Sequence, residues 1–536
     1  MHQRVLIAFL IAVAALAPNL AAQRKNDPKL CPYCKGDPAL MKAAGLVSHG
    51  GFDFGNVDST TKVDALLATC DIRWLESAHF EIGFALGEQK VKQDEKAKIR
   101  AELARLQLVL PEVDPKTKIV DPWLRAHLYA QRVEDTWQRM LGILQVKDSD
   151  FPPTPTVWTR TGKYMGNGPF LGEEHKFELL IVPTEANLTT YLQTHFGVLT
   201  KKTQRWNLHG KDTLSITIHC QEDNLRDDEG LHAHTVFNVT INMLDGFKHY
   251  SYETPTWIRE GLAHVLEREV SPKFNSFDSS EGATATMTRK EKWEPEARKL
   301  VASGKQPRMA ELMTMQQYAD LTLDRHYACW SMVDFLLKTK PDGFAKLNDG
   351  LHGMTNAEGL PDNSNLHDTH RDLFTSIFGW SYPAFDAAWA EWVLVSRSET
   401  SESYADPASI EVQSSVWGMR FSRIGNHVIK VEQLLNFETA QRTDGYWIRP
   451  SGSNADWNRV FYSAKSSVKY DCDANEFQLL RIDLYTGQMG GGTREATYWW
   501  TTSARASERA KNKAKWEAIT QGSKEADVFR LVCRKM

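Results

Sequence analysis

Two consecutive apolar stretches near the middle of the chain constrain its fold most. Residues 231–238 read Leu-His-Ala-His-Thr-Val-Phe-Asn, and residues 254–267 read Thr-Pro-Thr-Trp-Ile-Arg-Glu-Gly-Leu-Ala-His-Val-Leu-Glu. Their spacing predicts two helices, over about 231–244 and 255–269, joined by a turn through Asp245-Gly246. Glu260 and His264 stand at i and i+4, so a helix aims both at one point. With His232 or His234 beside them, a His-Glu-His set could close around a metal. The plainer alternative is that these histidines are ordinary buried or surface residues.

The start of the chain points to export. His2 and Arg4 precede an apolar run over 5–17, and Leu20-Ala21-Ala22 offers a small-residue cleavage site before Gln23. The run is too short to span a bilayer comfortably, and nothing later approaches 18 continuous apolar residues. We therefore expect a signal peptide over 1–22, no transmembrane segment in the mature chain, and a secreted, periplasmic or cell-surface location. A formal charge of −4 gives no support for nucleic-acid binding, and 42% hydrophobic residues fit a packed globular protein. Seven cysteines in an exported chain allow disulfides and leave at least one thiol over.

Residues 23–73 read as a loop-rich segment containing Cys31-Pro-Tyr-Cys34. A strand is expected near His79–Ile82, then helices over about 88–109 and 123–144. Phe177–Pro183 and Ser215–Cys220 read as buried strands, with a helix over Glu185–Phe196 between them. Ser271–Thr286 is rich in small polar residues and reads as a mobile loop. Helices are expected again at intervals from Met309 to about 397. Residues 398–415, dense in Ser and Glu, read as a linker. Beyond it, alternating stretches such as Val428-Ile-Lys-Val431 and Phe477–Tyr485 predict a small, mainly β domain over 416–536.

The Trp257-x-x-Glu260-Gly-Leu-Ala263 stretch resembles the third-ligand helix of the gluzincins, most closely the peptidase-MA-like family. The strand-plus-helix at Phe177–Phe196, Tyr327-Ala328 and Leu336-Leu337 extend the likeness over about 74–397. The resemblance implies a mainly helical peptidase-type domain with a small sheet. It also implies that an H-E-x-x-H helix should stand upstream and bind zinc. The five matching residues are His234, Thr235, Val236, Phe237 and Asn238. Carried over, His234 is the first ligand, Glu260 the third, and Asn238 stands where the second histidine should be. An amide oxygen is a poor zinc ligand, and Thr235, in the base position, cannot take a proton from water near neutral pH. The resemblance thus implies the frame of a zinc peptidase without its chemistry. The competing reading is a metal-dependent hydrolase using a rearranged set from His232, His234, Glu260 and His264.

Cys31-x-x-Cys34 reads as a structural disulfide or half of a metal knuckle more readily than as a redox pair, since no helix start or thioredoxin-like context surrounds it. Farther on, Lys465–Tyr470 leading into Asp471-Cys472, and Ile519–Ser523 followed by Val528–Cys533, are similar to the surface-adhesin protein E family. That resemblance implies a disulfide between Cys472 and Cys533 and a secreted or surface-displayed domain. We accordingly expect an α+β multidomain chain: the peptidase-like domain, then a small disulfide-stapled β domain. Its expected role is binding or assembly with a protein or peptide partner, with zinc as the one cofactor the residues would admit.

Overall fold

A computed structural model describes residues 30–151, 153, 168–249, 254–280, 282–288, 291–315, 320–352, 362, 364–394, 416–423, 428–442, 460–485, 494–499, 517–519, 529 and 533. The expected signal peptide (1–22) and linker (398–415) lie outside the described residues. The fold is mixed α and β, in two compact units. One comprises Met1–Glu291 and Gln306–Asp386, the other Lys292–Lys305 and Ala387–Met536. No helix among the described residues is long and apolar enough to cross a membrane.

The first unit is organised by an eight-stranded mixed sheet. Its strands are β1 (Leu46–Ser48), β2 (Arg73–Ser77), β3 (Phe80–Phe84), β6 (Phe177–Val182), β7 (Thr203–Leu208), β8 (Thr213–His219), β9 (Phe274–Ser280) and β10 (Ala283–Thr288). A short separate ladder pairs β4 (Gln89–Lys90) with β5 (Ile119–Val120). The strand order is β1-β2-β3-β6-β8-β7-β10-β9, with β3–β6 and β6–β8 parallel and the other pairs antiparallel. Every residue of β6 and β8 is buried, as expected for central strands covered on both faces. The N-terminal segment joins this sheet through β1 and carries helices Pro38–Ala43 and Thr60–Leu66, more order than its loop-rich composition predicts.

Helices Asp228–Gly246 and Thr256–Val270 form the centre of this unit. Asp227 caps the first by accepting from the backbone N–H of Glu229, and almost the whole helix is buried. Gly261 explains its own place in the second helix. A Cβ there would lie 2.5 Å from the Cys329 carbonyl oxygen and 2.6 Å from Val333, on helix Leu323–Thr339. Only glycine lets the two helices approach so closely.

One expectation is corrected. The segment expected to be a mobile loop at 271–286 is the β9–β10 hairpin at the edge of the sheet. Its polar residues Asn275, Ser276, Asp278 and Thr284 are buried, and each finds a partner inside the protein.

The second unit contains a six-stranded antiparallel sheet. It runs β11 (Val416–Arg423), β12 (Val428–Arg442), β13 (Val460–Asp471), β14 (Glu476–Tyr485) and β15 (Arg494–Trp499), with β16 (Glu517–Ala518) also pairing with β14. Val431, Val468 and Tyr470 make a small core, against which Phe477, Leu479, Ile519 and Phe529 pack. Cys472 and Cys533 are joined by a disulfide across 61 residues of sequence.

Candidate functional site

Helices Asp228–Gly246 and Thr256–Val270 bring the sequence-derived residues into one buried region, but not around one point. His234 is held on the sheet side: its Nδ1 is 2.8 Å from Ser276 Oγ and its Nε2 2.9 Å from Thr203 Oγ1. Both ring nitrogens are thus committed to hydroxyls. Burial first, and then the nearby Arg205 guanidinium, lower its pKa to about 3, so the ring is neutral at neutral pH. Thr235 donates its hydroxyl back to the Leu231 carbonyl at 2.8 Å, one turn earlier. His232 faces elsewhere, near the Tyr129 ring and a small pocket lined by Glu95, Lys98, Arg132 and Asp228.

Asn238, in the second-ligand position, binds a cation, but the cation is Arg205. The guanidinium donates from Nη1 to Asn238 Oδ1 at 2.8 Å and to Thr284 Oγ1 at 2.7 Å, and from Nη2 to Asp278 Oδ2 at 2.6 Å. Thr284 also donates to Asn238 Oδ1 at 2.9 Å, while Asn238 Nδ2 donates to the His234 carbonyl. Arg259 adds a second guanidinium, 3.7 Å from Asp278 and 3.4 Å from Asp245. Burial opposes ionisation of Asp278, yet Arg205 and Arg259 keep its carboxyl below the usual range. A side-chain cation and its carboxylate partner therefore fill the space between the ligand position and Glu260.

Glu260 is fully buried, and neither carboxyl oxygen accepts a hydrogen bond from a donor among the described residues. Burial first, then the adjacent Asp278 carboxylate, push its pKa well above the ordinary range, so the group holds its proton. On its other side stand His264, whose Nε2 is 3.9 Å from Glu260 Oε2, and His326, whose Nδ1 is 3.7 Å from the same oxygen. The two imidazoles meet at 3.0 Å, and His264 Nδ1 lies 3.2 Å from Glu267 Oε2. Burial, with His326 and Arg268 adding to it, lowers the pKa of His264 far below that of a free histidine.

The structure thus brings Glu260 and His264 together with His326, a residue the sequence reading missed, and not with His232 or His234. Glu260, His264 and His326 each offer a ligand atom within 4.8 Å of the other two. The set is sealed, however, with Phe237 and Phe277 packed against the histidine rings. Hydrolysis needs an open coordination position for water and a nearby base. All three side chains are buried, so the cluster has no path to bulk water through its own exposed surface.

On the far side of Arg205 a cleft of about 430 Å³ is lined by Arg205, Trp206, Asn242, Asp245 and Arg259, among others. Elsewhere in the unit, Cys31 and Cys34 are buried and not bonded to each other, and each sulfur faces a histidine. Cys70, Cys220 and Cys329 are also free thiols.

Comparison with known proteins adds one finding. Residues 392–534 match the family model of surface-adhesin protein E. Among solved structures, the selenomethionine form of Haemophilus influenzae protein E is 15% identical, over 24% of this chain and 92% of that one, with a TM-score of 0.15. A second crystal form is 13% identical over 25% and 97%, also at 0.15. At such scores the superpositions decide nothing, and the family match alone supports the likeness of this segment. No curated protein is significantly similar to the chain.

Proposed function

We propose that this chain is an exported binding protein, displayed on or released from the cell surface, whose β domain engages a surface ligand. The match of residues 392–534 to the surface-adhesin protein E family carries this reading. The Cys472–Cys533 disulfide is consistent with an oxidising compartment. In this reading the first unit is a peptidase-like frame kept as a scaffold, with Arg205 and Asp278 in place of a reactive centre. Its sealed Glu260, His264 and His326 cluster contributes to packing and not to hydrolysis.

The test is saturable binding of the intact purified chain to cell surfaces, compared with a Cys472→Ser, Cys533→Ser variant. Binding should be lost in the variant while the first unit keeps its fold. A parallel incubation with casein and added zinc should give no cleavage. Chelator-sensitive proteolysis, or binding indifferent to the disulfide, would overturn the proposal.

A further inference from the structure

Four side chains from three separated segments converge beside the N-terminal turn. Cys31 Sγ lies 3.1 Å from His127 Nε2, and Cys34 Sγ lies 3.4 Å from His49 Nε2. The ligand atoms of Cys31, Cys34 and His127 all fall within 4.8 Å of one another. A tetrahedral zinc ion with bonds of about 2.3 Å to sulfur and about 2.0 Å to nitrogen would set sulfur and nitrogen about 3.5 Å apart. The Cys31–His127 and Cys34–His49 separations need little adjustment to reach that; His49 stands beside Cys34 and outside the mutually close set of three.

The local backbone brings the two sulfurs to one side of a tight turn. Cys31-Pro-Tyr-Cys34 turns back on itself, with the Lys35 N–H bonded to the Cys31 carbonyl at 2.9 Å. Lys35 and Gly36 adopt φ of 53° and 64°, the left-handed region that glycine enters freely. The backbone N–H of Cys34 points at Cys31 Sγ from 3.5 Å.

The histidines are held as firmly. His127 is buried on helix Pro122–Leu144, whose start is fixed by Asp121 accepting from the N–H groups of Trp123 at 2.9 Å and Leu124 at 3.1 Å. Trp123, one turn before His127, stacks on the His49 ring at 5.2 Å between centroids and 29° between planes. Tyr33, inside the cysteine turn, donates to the same Asp121. One helix start therefore positions both imidazoles and anchors the turn that carries both sulfurs.

We propose that Cys31, Cys34, His49 and His127 form a closed, tetrahedral structural site for a divalent zinc ion. Two thiolates and two neutral imidazoles balance the ion's charge, which makes a buried site of this kind tolerable. The donor set is of the zinc type, and four protein ligands leave no position for catalytic water. A bound ion would tie the N-terminal segment to helix Pro122–Leu144 and keep the two thiols from oxidising to each other.

The test uses the full chain and zinc alone, with Co²⁺ as a spectroscopic substitute. Elemental mass spectrometry should find one zinc per chain. The Co²⁺ form of the wild type should show thiolate charge-transfer and tetrahedral d–d absorption, a readout that does not depend on any variant folding. Cys34→Ser and His127→Gln should each weaken zinc retention more than about 100-fold, and Trp123→Leu, which only supports His49, about 10-fold. Circular dichroism and the intact Cys472–Cys533 disulfide would identify variants that remain folded. The site is refuted by reduced thiols that take up neither metal, by a Cys31–Cys34 disulfide in the native protein, or by zinc retention unchanged in folded Cys34→Ser and His127→Gln variants.

Discussion

Two clusters of metal-type residues lie in the same unit, and they differ in what occupies their centres. Around Asn238 and Glu260, where the sequence motif is most suggestive, a guanidinium occupies the space and His234 is bonded to hydroxyls. Around Cys31 and Cys34, where the motif is only a spaced cysteine pair, the two sulfurs and His127 converge with His49 beside Cys34, and none of the four is bonded to a side-chain cation or carboxylate among the described residues. Motif strength and coordinating ability have come apart. The first cluster commits His234, Asn238 and Asp278 to partners inside the protein, while Glu260 accepts from no donor among the described residues. The second has no helical metal motif but has ligands whose geometry fits an ion.

That comparison can be broken most forcefully at Arg205. Arg205→Leu would strip Asp278 of its main partner and leave Asn238 and Thr284 short of a donor, all inside the core. Breaking a buried pair in this way costs about 3–5 kcal/mol, so the denaturation midpoint of the first unit should fall sharply. If Arg205→Leu instead left stability intact and created a zinc site, the guanidinium would be a removable plug and not a structural replacement.

The disulfide tests the second unit separately. Reduction or Cys472→Ser should cost about 4 kcal/mol for a loop of 61 residues in the chain-entropy account, read as a lower melting transition for that unit alone.

Acid sharpens the contrast further. His234 is neutral in the folded protein, with a pKa near 3, but takes a proton near pH 6.5 when unfolded. Between those values the unfolded state binds the extra proton, so stability from this residue rises with pH and is lost on acidification. The slope is at most about 1.4 kcal/mol per pH unit, and His234→Gln should flatten it in urea titrations at pH 4 to 6.

Glu260 runs the other way. Its folded pKa is raised, so its contribution is complete below the unfolded value and declines as pH rises above about 4.5. Glu260→Gln should therefore cost no stability at neutral pH, the smallest of these effects, read as an unchanged or higher denaturation midpoint.

Local pattern was enough for some of this architecture. The helix expected over Glu185–Phe196 is found with those bounds, and the strand from Phe177 announces itself as an unbroken apolar run. The β9–β10 hairpin was not legible, because Ser276, Asp278 and Thr284 read as solvent-loving. They are buried because Glu267, Arg205 and Asn238 supply partners, and no local window contains that information. The same holds for the sites. Glu260 and His264 could be placed together by helical spacing, but His326 comes from a third helix and Arg205 from a strand whose pattern was not recognised. Cys31 and Cys34 were visible as half of a knuckle. His49 and His127 lie 15 and 96 residues from their sulfur partners, and only the packing of the first strand and the Asp121-capped helix brings them in.

Zinc content measured across three proteins tests the central contrast most directly. The intact chain should hold one zinc, Glu260→Gln should hold the same amount, and Cys34→Ser should hold essentially none. Zinc lost from Glu260→Gln and kept by Cys34→Ser would contradict the account and place the metal at Glu260, His264 and His326 instead.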